Sequence, residues 1–287
     1  MYLFDNILDG KIPNELGLLH NLKELGLAEN KLFGTIPFQL GNLSNLVAMT
    51  LQNNNFSGEI PKDLGNLHSI QFLNLNSNNL TAIPYSIGQL KSLMQLHISH
   101  NNIYCPIPNT IIGLVSLIIL DLSQNSIEGP IPKSFGNYTS LQWLDLSANR
   151  LTGELPNHLA LFHNLVILNI SYNNIHGDIP KWITNLTKLS YLNLSNNKFS
   201  GRMPFHLERL RGFAPNVSSL GQNNEIYDIK SIPIPYSISA GITAELGNVY
   251  MENTFFDLSN NNLVGEILSS IGSMSSLRWL NLSGNQF

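Results

Sequence analysis

The chain has 287 residues, of which 43% are hydrophobic and only 12% are charged. An average soluble domain has about 25% charged residues, so most positions here belong to a core or a turn. The formal net charge is −4, and acids and bases are scattered, which argues against a nucleic-acid partner. The single cysteine, Cys105, excludes an internal disulfide. The longest apolar stretch, 111–120, is far short of the ~20 residues of a membrane helix, so we expect no membrane contact by this segment.

An asparagine recurs along the chain at a spacing of 24 residues, with one interval of 23 and one of 64. Each of these asparagines closes the phrase L-x-x-L-x-L-x-x-N-x-L, as in Leu141 to Leu151. A period of about 20–29 residues with this phrase is the signature of a leucine-rich repeat. Eleven copies in register therefore predict a repeat solenoid; they end at Asn6, Asn30, Asn54, Asn78, Asn101, Asn125, Asn149, Asn173, Asn197, Asn261 and Asn285.

Each repeat is predicted to begin with a short strand, because two leucines such as Leu144 and Leu146 flank one residue and share a face. The asparagine is expected to turn inward and bond backbone groups of the turn. A G-x-[ILM]-P motif follows, and then a leucine pair that is typical of a short helical turn. The fold prediction is a leucine-rich repeat solenoid, a right-handed α/β superhelix. Its parallel sheet lies on the concave face, and short helical or 3-10 turns lie on the convex face.

Three segments follow one another along the chain. Residues 1–210 hold about nine repeats, the first incomplete, and the Asn78 repeat lacks its Gly, which explains the interval of 23. The pattern disappears over 211–253 and resumes for two repeats over 254–287, the last truncated. The insertion is rich in Ile and Tyr, so we expect it to fold against the solenoid and to be functional.

The full repeat phrase, with G-x-I-P after the asparagine, resembles the plant-specific class of leucine-rich repeats. An insertion near the C-terminus, followed by a restart at Phe256, resembles the ectodomains of plant receptor-like proteins and of island-bearing receptor kinases. The phytosulfokine and brassinosteroid receptor families are examples. The resemblance implies the ligand-recognition part of a cell-surface receptor in defence or development, located at the extracellular face of the plasma membrane or in the cell wall. The implied partners are a peptide, steroid or protein ligand and a leucine-rich repeat co-receptor kinase.

The residues between the strand leucines are predicted to line the concave face, which is the usual binding surface of a solenoid. In the C-terminal half this face combines aromatic side chains, expected to be exposed, with Asp and Asn, a combination that suits ligand recognition. The insertion adds two tyrosines. The predicted ligand contacts are Trp143, Asp145, Tyr191, Asn193, Tyr227, Tyr236, Phe255, Asp257 and Trp279.

Nine N-x-[ST] sequons occur in the chain. Those at Asn169, Asn193 and Asn281 fall on the concave strands, where a glycan would obstruct binding. Asn42, Asn137 and Asn185 share one convex position in their repeats. The predicted glycosylation sites are Asn42, Asn137, Asn185 and Asn216.

We predict that the chain is not an enzyme and holds no metal or cofactor. It contains no glycine-rich phosphate loop and no kinase motif. Asp121 and Asp145 stand on adjacent repeats, but an open, hydrated sheet would lack the burial that tunes an acid–base pair. His97 and His100 have no further ligand nearby in sequence, so a metal site is not expected there.

Two alternatives to the receptor hypothesis remain at this point. Secreted inhibitors of microbial polygalacturonases resemble the chain repeat for repeat, but they carry cysteine-bearing caps and no insertion. A non-functional receptor fragment is the other alternative, because the sequence stops inside a repeat at both ends. Residues 1–6 are already repeat, with no signal peptide, and no membrane anchor is visible. Uncapped ends expose core leucines, so we expect this segment alone to aggregate or fray.

Overall fold

The computed structural model describes residues 1–133, 135, 138–213 and 254–287. In this part of the chain ten parallel strands form one sheet, here called the inner sheet, in which each strand pairs with those of the neighbouring repeats. The strands are Glu24–Gly26, Ala48–Thr50, Phe72–Asn74, Gln95–His97, Ile119–Asp121, Trp143–Asp145, Ile167–Asn169, Tyr191–Asn193, Phe255–Asp257 and Trp279–Asn281.

The leucines of each strand face one continuous core, as predicted. Leu144 and Leu146 are fully buried, and Leu144 lies in register between Leu120 and Leu168. Because every strand places its central residue at the same level, the leucines of successive repeats stack and exclude water along the solenoid. Burying one leucine contributes roughly 1.5–3 kcal/mol, so stability accumulates repeat by repeat.

The repeating asparagine forms a bonded turn that ties two neighbouring repeats together. The amide nitrogen of Asn149 donates to the carbonyl oxygens of Leu122, Leu146 and Ser147 at 3.0–3.1 Å, and its Oδ1 accepts from the Ile127 amide at 2.9 Å. The inward asparagine is therefore confirmed. The residue before it, here Ala148, has a left-handed backbone with φ 51°, which the sequence did not indicate.

A second set of short strands follows the asparagine turns on one flank of the solenoid. They are Asp9–Gly10, Lys31–Gly34, Asn55–Gly58 and Asn79–Leu80 in one sheet, Glu128–Pro130 with Arg150–Thr152 in a second, and His176–Asp178 with Lys198–Ser200 in a third. The glycine of the G-x-[ILM]-P motif adopts a backbone conformation here that other residues rarely adopt, since Gly153 has φ 81°.

The convex side consists of short 3-10 helices, as the leucine spacing predicted. In the described residues they are Asn14–Leu18, Phe38–Asn42, Lys62–Asn66, Tyr85–Gln89, Asn109–Gly113, Asn157–Leu161, Lys181–Asn185, Leu207–Arg209, Arg211–Phe213 and Ser269–Ser273. Neighbouring turns approach closely at the glycine of the L-G-x-L motif. A Cβ on Gly88 would lie 1.9 Å from the Thr110 carbonyl oxygen, so no larger residue fits there.

The inner sheet continues across the insertion. Strand Tyr191–Asn193 pairs directly with Phe255–Asp257. On the convex side, Gly212 donates to the Thr187 carbonyl at 3.0 Å, and the Phe213 ring packs 6.0 Å from Phe256. The repeat thus runs to Phe213 and resumes at Thr254. Residues 214–253 lie outside the described residues. Within the described ranges, no helix is long and apolar enough to span a membrane.

Candidate functional site

Three aromatic side chains form a stack on the inner sheet where the two sides of the insertion meet. The rings of Tyr191 and Phe255 are 4.7 Å apart and nearly parallel, and those of Phe255 and Trp279 are 6.0 Å apart. These residues follow one another in strand register, so strand spacing sets the stack. We call Tyr191, Phe255 and Trp279 the aromatic row. Phe255 and Trp279 give this row its accessible apolar surface on the candidate binding face.

The sequence predicted that the aromatic side chains of the inner sheet are exposed, and this is wrong for Trp143 and Tyr191. Trp143 is 2% exposed and Tyr191 is 8% exposed, whereas Phe255 is half-buried and Trp279 is 54% exposed. Trp143 and Tyr191 belong to a second apolar cluster, separate from the leucine core, with Ile119, Val166 and Ile167. Side chains at a strand spacing of roughly 4.8 Å cover one another when consecutive repeats carry large apolar residues. This cluster continues into the aromatic row, because Tyr191 belongs to both and Phe255 packs against the cluster.

A row of polar side chains runs beside the aromatic row, two residues further along each strand. We call it the polar row; it comprises His97, Asp121, Asp145, Asn169, Asn193, Asp257 and Asn281. Rather than pointing free into solvent, the Asp and Asn side chains of this row bond the following turn. Asp145 Oδ1 accepts from the backbone nitrogen of Ser147 at 2.9 Å and from its hydroxyl at 2.6 Å.

Bonds between repeats also join members of the polar row. Asn169 Nδ2 donates to Asp145 Oδ2 at 3.0 Å, and Asn281 Nδ2 donates to Asp257 Oδ2 at 3.3 Å. The row therefore has a structural role that the sequence reading missed. The signal for it was present, because a serine stands two residues after most of these Asp and Asn residues and favours side-chain-bonded turns.

The carboxyl groups of Asp121 and Asp145 are buried, which corrects the expectation of a hydrated pair. Asp121 is 6% exposed and Asp145 is 4% exposed, and the two stand directly opposite each other on adjacent strands. Burial, reinforced by the charge of Asp121, raises the pKa of Asp145 to about 7, against the opposing bonds from Ser147 and Asn169. Asp145 therefore exchanges its proton near neutral pH.

His97 is the other titratable group of this row, and it is fully buried. Burial lowers the pKa of His97 to about 4, although the charge of Asp121 opposes the shift, so the ring is neutral at pH 7. Its Nε2 lies 3.1 Å from Gln95 Oε1. Among the residues that the structure describes, no group of three or more His, Cys, Asp or Glu side chains is placed to hold a metal ion.

The remaining predicted site residues lie in three places. Asn193 and Asp257 belong to the polar row, where Asn193 is half-buried and Asp257 is buried. Of the predicted glycosylation sites, Asn42 and Asn185 are exposed at the ends of convex 3-10 helices. Outside the described residues lie Tyr227, Tyr236, Asn137 and Asn216.

A groove of about 1290 Å³ lies away from the inner sheet, where the [ILM]-P segments of four repeats meet. Its lining includes Ile83, Pro106, Pro108 and Pro130. Two of these prolines precede the I-P pair, in Pro106-Ile-Pro and Pro130-Ile-Pro, which is the only local signal of the groove. It does not coincide with the predicted ligand face.

Comparison with known families gives a consistent result along the chain. A model described as leucine-rich repeat region matches residues 39–128, and one described as leucine rich repeat matches residues 156–210. A further leucine rich repeat model matches residues 21–43, 140–162 and 254–274. No curated protein sequence matches the chain.

Solved structures of plant receptors are similar over nearly the whole chain. The plant peptide hormone receptor RGFR1 in complex with RGF2 has a TM-score of 0.78 at 30% identity over 99% of this chain. The Arabidopsis receptor kinase HAESA ectodomain, in complex with an extended IDA peptide hormone ligand, has a TM-score of 0.77 at 27% identity over 99%. Arabidopsis HAESA with IDA and the co-receptor SERK1 has a TM-score of 0.68 at 30% identity over 98%. The chain spans 43%, 45% and 45% of these three structures.

Proposed function

This chain belongs to the leucine-rich repeat family, and we propose that it is the ligand-recognition part of a plant cell-surface receptor. In this proposal the protein binds a peptide on its inner sheet outside the cell and docks a co-receptor kinase, while signalling chemistry is done elsewhere. Support comes from the similar structures: two are complexes with the peptide hormone IDA, one of which also includes a co-receptor, and the third is a plant peptide hormone receptor in complex with RGF2.

The observation that carries this proposal is the aromatic row. Phe255 stacks between Tyr191 and Trp279, and Phe255 and Trp279 retain accessible surface. The neighbouring polar row supplies oriented oxygen and amide groups at Asn193 and Asn281, both half-buried. Apolar area with a few fixed polar groups is what a peptide-binding surface requires.

The proposal assigns different tasks to the remaining predicted contacts. Trp143 and Asp145 are buried, so they would support the surface and shape its electrostatics rather than offer large contact area. Asp257 would position Asn281 through their bond. Tyr227 and Tyr236 would add contacts from the insertion.

The test is selection of binders from a displayed library of random peptides, followed by calorimetric titration of the best binder. Phe255→Ala should weaken that binder by roughly 30-fold or more, the size of a hot-spot loss of about 2 kcal/mol. The matched control is Tyr85→Ala, which removes a 75% exposed aromatic from the convex side. An unchanged affinity in Phe255→Ala, or a library that yields no binder, would contradict the proposal.

A further inference from the structure

The sequons of the described chain fall into three structural environments. Asn42 and Asn185 end convex helices, Asn55 and Asn79 begin flank strands, and a third group lies on the inner sheet: Asn169, Asn193 and Asn281. The sequence pattern alone treats these groups alike, because each has the same N-x-[ST] form. The structure distinguishes them by what the asparagine amide and the sequon hydroxyl already bind.

In the inner-sheet sequons both reactive groups are engaged with each other. The Ser171 hydroxyl donates to Asn169 Oδ1 at 2.8 Å, and the Ser195 hydroxyl donates to Asn193 Oδ1 at 2.7 Å. The Asn169 amide nitrogen, which a glycan would modify, donates to Asp145. Asn169 is also only 5% exposed. A glycan on this nitrogen would have to displace the packing that buries Asn169, so the folded sheet disfavours it.

The flank sequons have the opposite character. Asn55 and Asn79 are exposed. Within the described part of the chain, the Asn55 side chain makes no hydrogen bond, and Asn79 makes only a 3.5 Å contact with Asn102. Each of them directly follows a buried repeating asparagine and occupies the first position of a flank strand. Because these side chains are exposed, a bulky, hydrated glycan on either of them can extend into solvent.

We propose that Asn55 and Asn79 are N-glycan acceptors and that Asn169, Asn193 and Asn281 stay unmodified in the folded protein. The inference rests on the extracellular placement in the proposed function. Glycans on two adjacent repeats would cover the flank strands Asn55–Gly58 and Asn79–Leu80 and leave the inner sheet open. A macromolecular partner would then approach from another side than this flank.

The chain also offers a natural control for the position itself. Asn102 occupies the same place in the next repeat and is exposed, but Tyr104 stands where a sequon needs Ser or Thr. Tyr104→Thr completes a sequon at Asn102 with a side chain that is 56% exposed and outside the core. If the position determines acceptance, this variant should gain one glycan.

The experiment expresses the whole chain behind a cleavable signal peptide in plant cells and analyses the protease-resistant pool, which selects folded molecules whether or not they are secreted. Asn55→Gln and Asn79→Gln should each remove one glycan by gel mobility and glycopeptide mass spectrometry. Tyr104→Thr should add one, and Asn169→Gln should change nothing. Bare Asn55 and Asn79, or glycans on Asn169 or Asn193 in folded chain, would overturn the inference. That outcome would leave the peptide-binding proposal intact. Conversely, failed peptide binding together with the expected glycan pattern would contradict the peptide-binding proposal and leave the glycan inference standing.

Discussion

Removing one of the repeating asparagines should destabilise the solenoid, mainly because one buried backbone amide loses its hydrogen-bond acceptor. Asn149→Ala removes four hydrogen bonds. Two of the three carbonyls that lose a bond still accept from neighbouring asparagines, since Asn125 bonds Leu122 and Asn173 bonds Leu146. The Ser147 carbonyl keeps the Gln124 amide. The Ile127 amide, by contrast, loses its acceptor in a buried position.

An unsatisfied buried donor costs about 1–3 kcal/mol, and three weakened carbonyl bonds add to this, so we expect Asn149→Ala to lower the free energy of unfolding by about 2–4 kcal/mol. Asn149→Asp keeps the acceptor for Ile127 but presents a carboxylate to three carbonyl oxygens, so it should also destabilise. The matched control is Asn6→Ala, because Asn6 is exposed and, among the described residues, its side-chain amide bonds only the Leu3 and Phe4 carbonyls. Its loss should cost less than about 0.5 kcal/mol.

Urea unfolding measures the global effect, and amide hydrogen exchange measures the local one. The Ile127 amide should exchange faster in Asn149→Ala relative to amides three repeats away, since solenoid stability is a sum of local and nearest-neighbour terms. Equal destabilisation by Asn149→Ala and Asn6→Ala would refute this reasoning. So would unchanged protection of the Ile127 amide.

Three further predictions test the electrostatics and the packing. The pKa of Asp145 is about 7 in the fold against 3.8 when unfolded, so the contribution of Asp145 to the free energy of unfolding should fall from about pH 4 to pH 7, by at most ~4 kcal/mol. His97, whose pKa is lowered from 6.5 to about 4, contributes an opposing rise over much of this range. The measurement is therefore the free energy of unfolding of the wild type minus that of Asp145→Asn in urea titrations, and this difference should fall between pH 4 and pH 7. Gly88→Ala should cost about 1–3 kcal/mol by overpacking, whereas Gly272→Ala, at the same repeat position with no atom within 4 Å, should be nearly neutral in thermal unfolding. Leu144→Ala should cost about 2–5 kcal/mol, and Leu280→Ala, the equivalent position at 43% exposure, clearly less; similar losses for the two would contradict the shared leucine core.

The sequence predicted the architecture because the buried positions of this fold recur at a regular period of 24 residues. Alternating leucines fix which side of each strand is inside, so Leu144 and Leu146 could be placed before any coordinates. The asparagine recurs because its side-chain amide can donate to several carbonyl oxygens and at the same time accept from a backbone amide at that turn. The 3-10 helices follow from leucines three residues apart.

The candidate site was harder to predict, because the exposure of its side chains depends on which residues stand beside them on adjacent strands and not on the repeat period. Residue type and position place Trp143 on the outer side of its strand, but flanking Ile119 and Ile167 decide that it is buried. The left-handed residue before each asparagine left no signature, since Glu29, Ala148 and Tyr172 all occupy it. A position whose backbone is set by the surrounding turn accepts chemically unrelated side chains.

We expect that the insertion can be removed without disturbing the repeats, and the backbone bonds on either side of it indicate where to cut. The backbone nitrogen of Phe213 donates to the Leu210 carbonyl at 3.0 Å. One repeat earlier, the backbone nitrogen of Leu189 makes the same bond to the Leu186 carbonyl, also at 3.0 Å. Phe255 donates to the Ser190 carbonyl at 3.0 Å, as Tyr191 donates to Val166 at 3.1 Å. Phe213 and Thr254 therefore stand where the consecutive residues Leu189 and Ser190 stand one repeat earlier.

Joining Phe213 directly to Thr254 should consequently restore a regular repeat and preserve the pairing of Tyr191–Asn193 with Phe255–Asp257. A deletion of 211–253 instead removes the 3-10 helix Arg211–Phe213 and the Phe213 ring that packs on Phe256, so it should be less stable by about 3–5 kcal/mol, the cost of losing a buried Phe. Thermal unfolding of the two deletions side by side distinguishes them. If the shorter deletion folds with an intact sheet but no longer binds the selected peptide, recognition requires the insertion as well as the aromatic row. If it binds unchanged, the inner sheet alone carries recognition, and the assignment of Tyr227 and Tyr236 as ligand contacts fails.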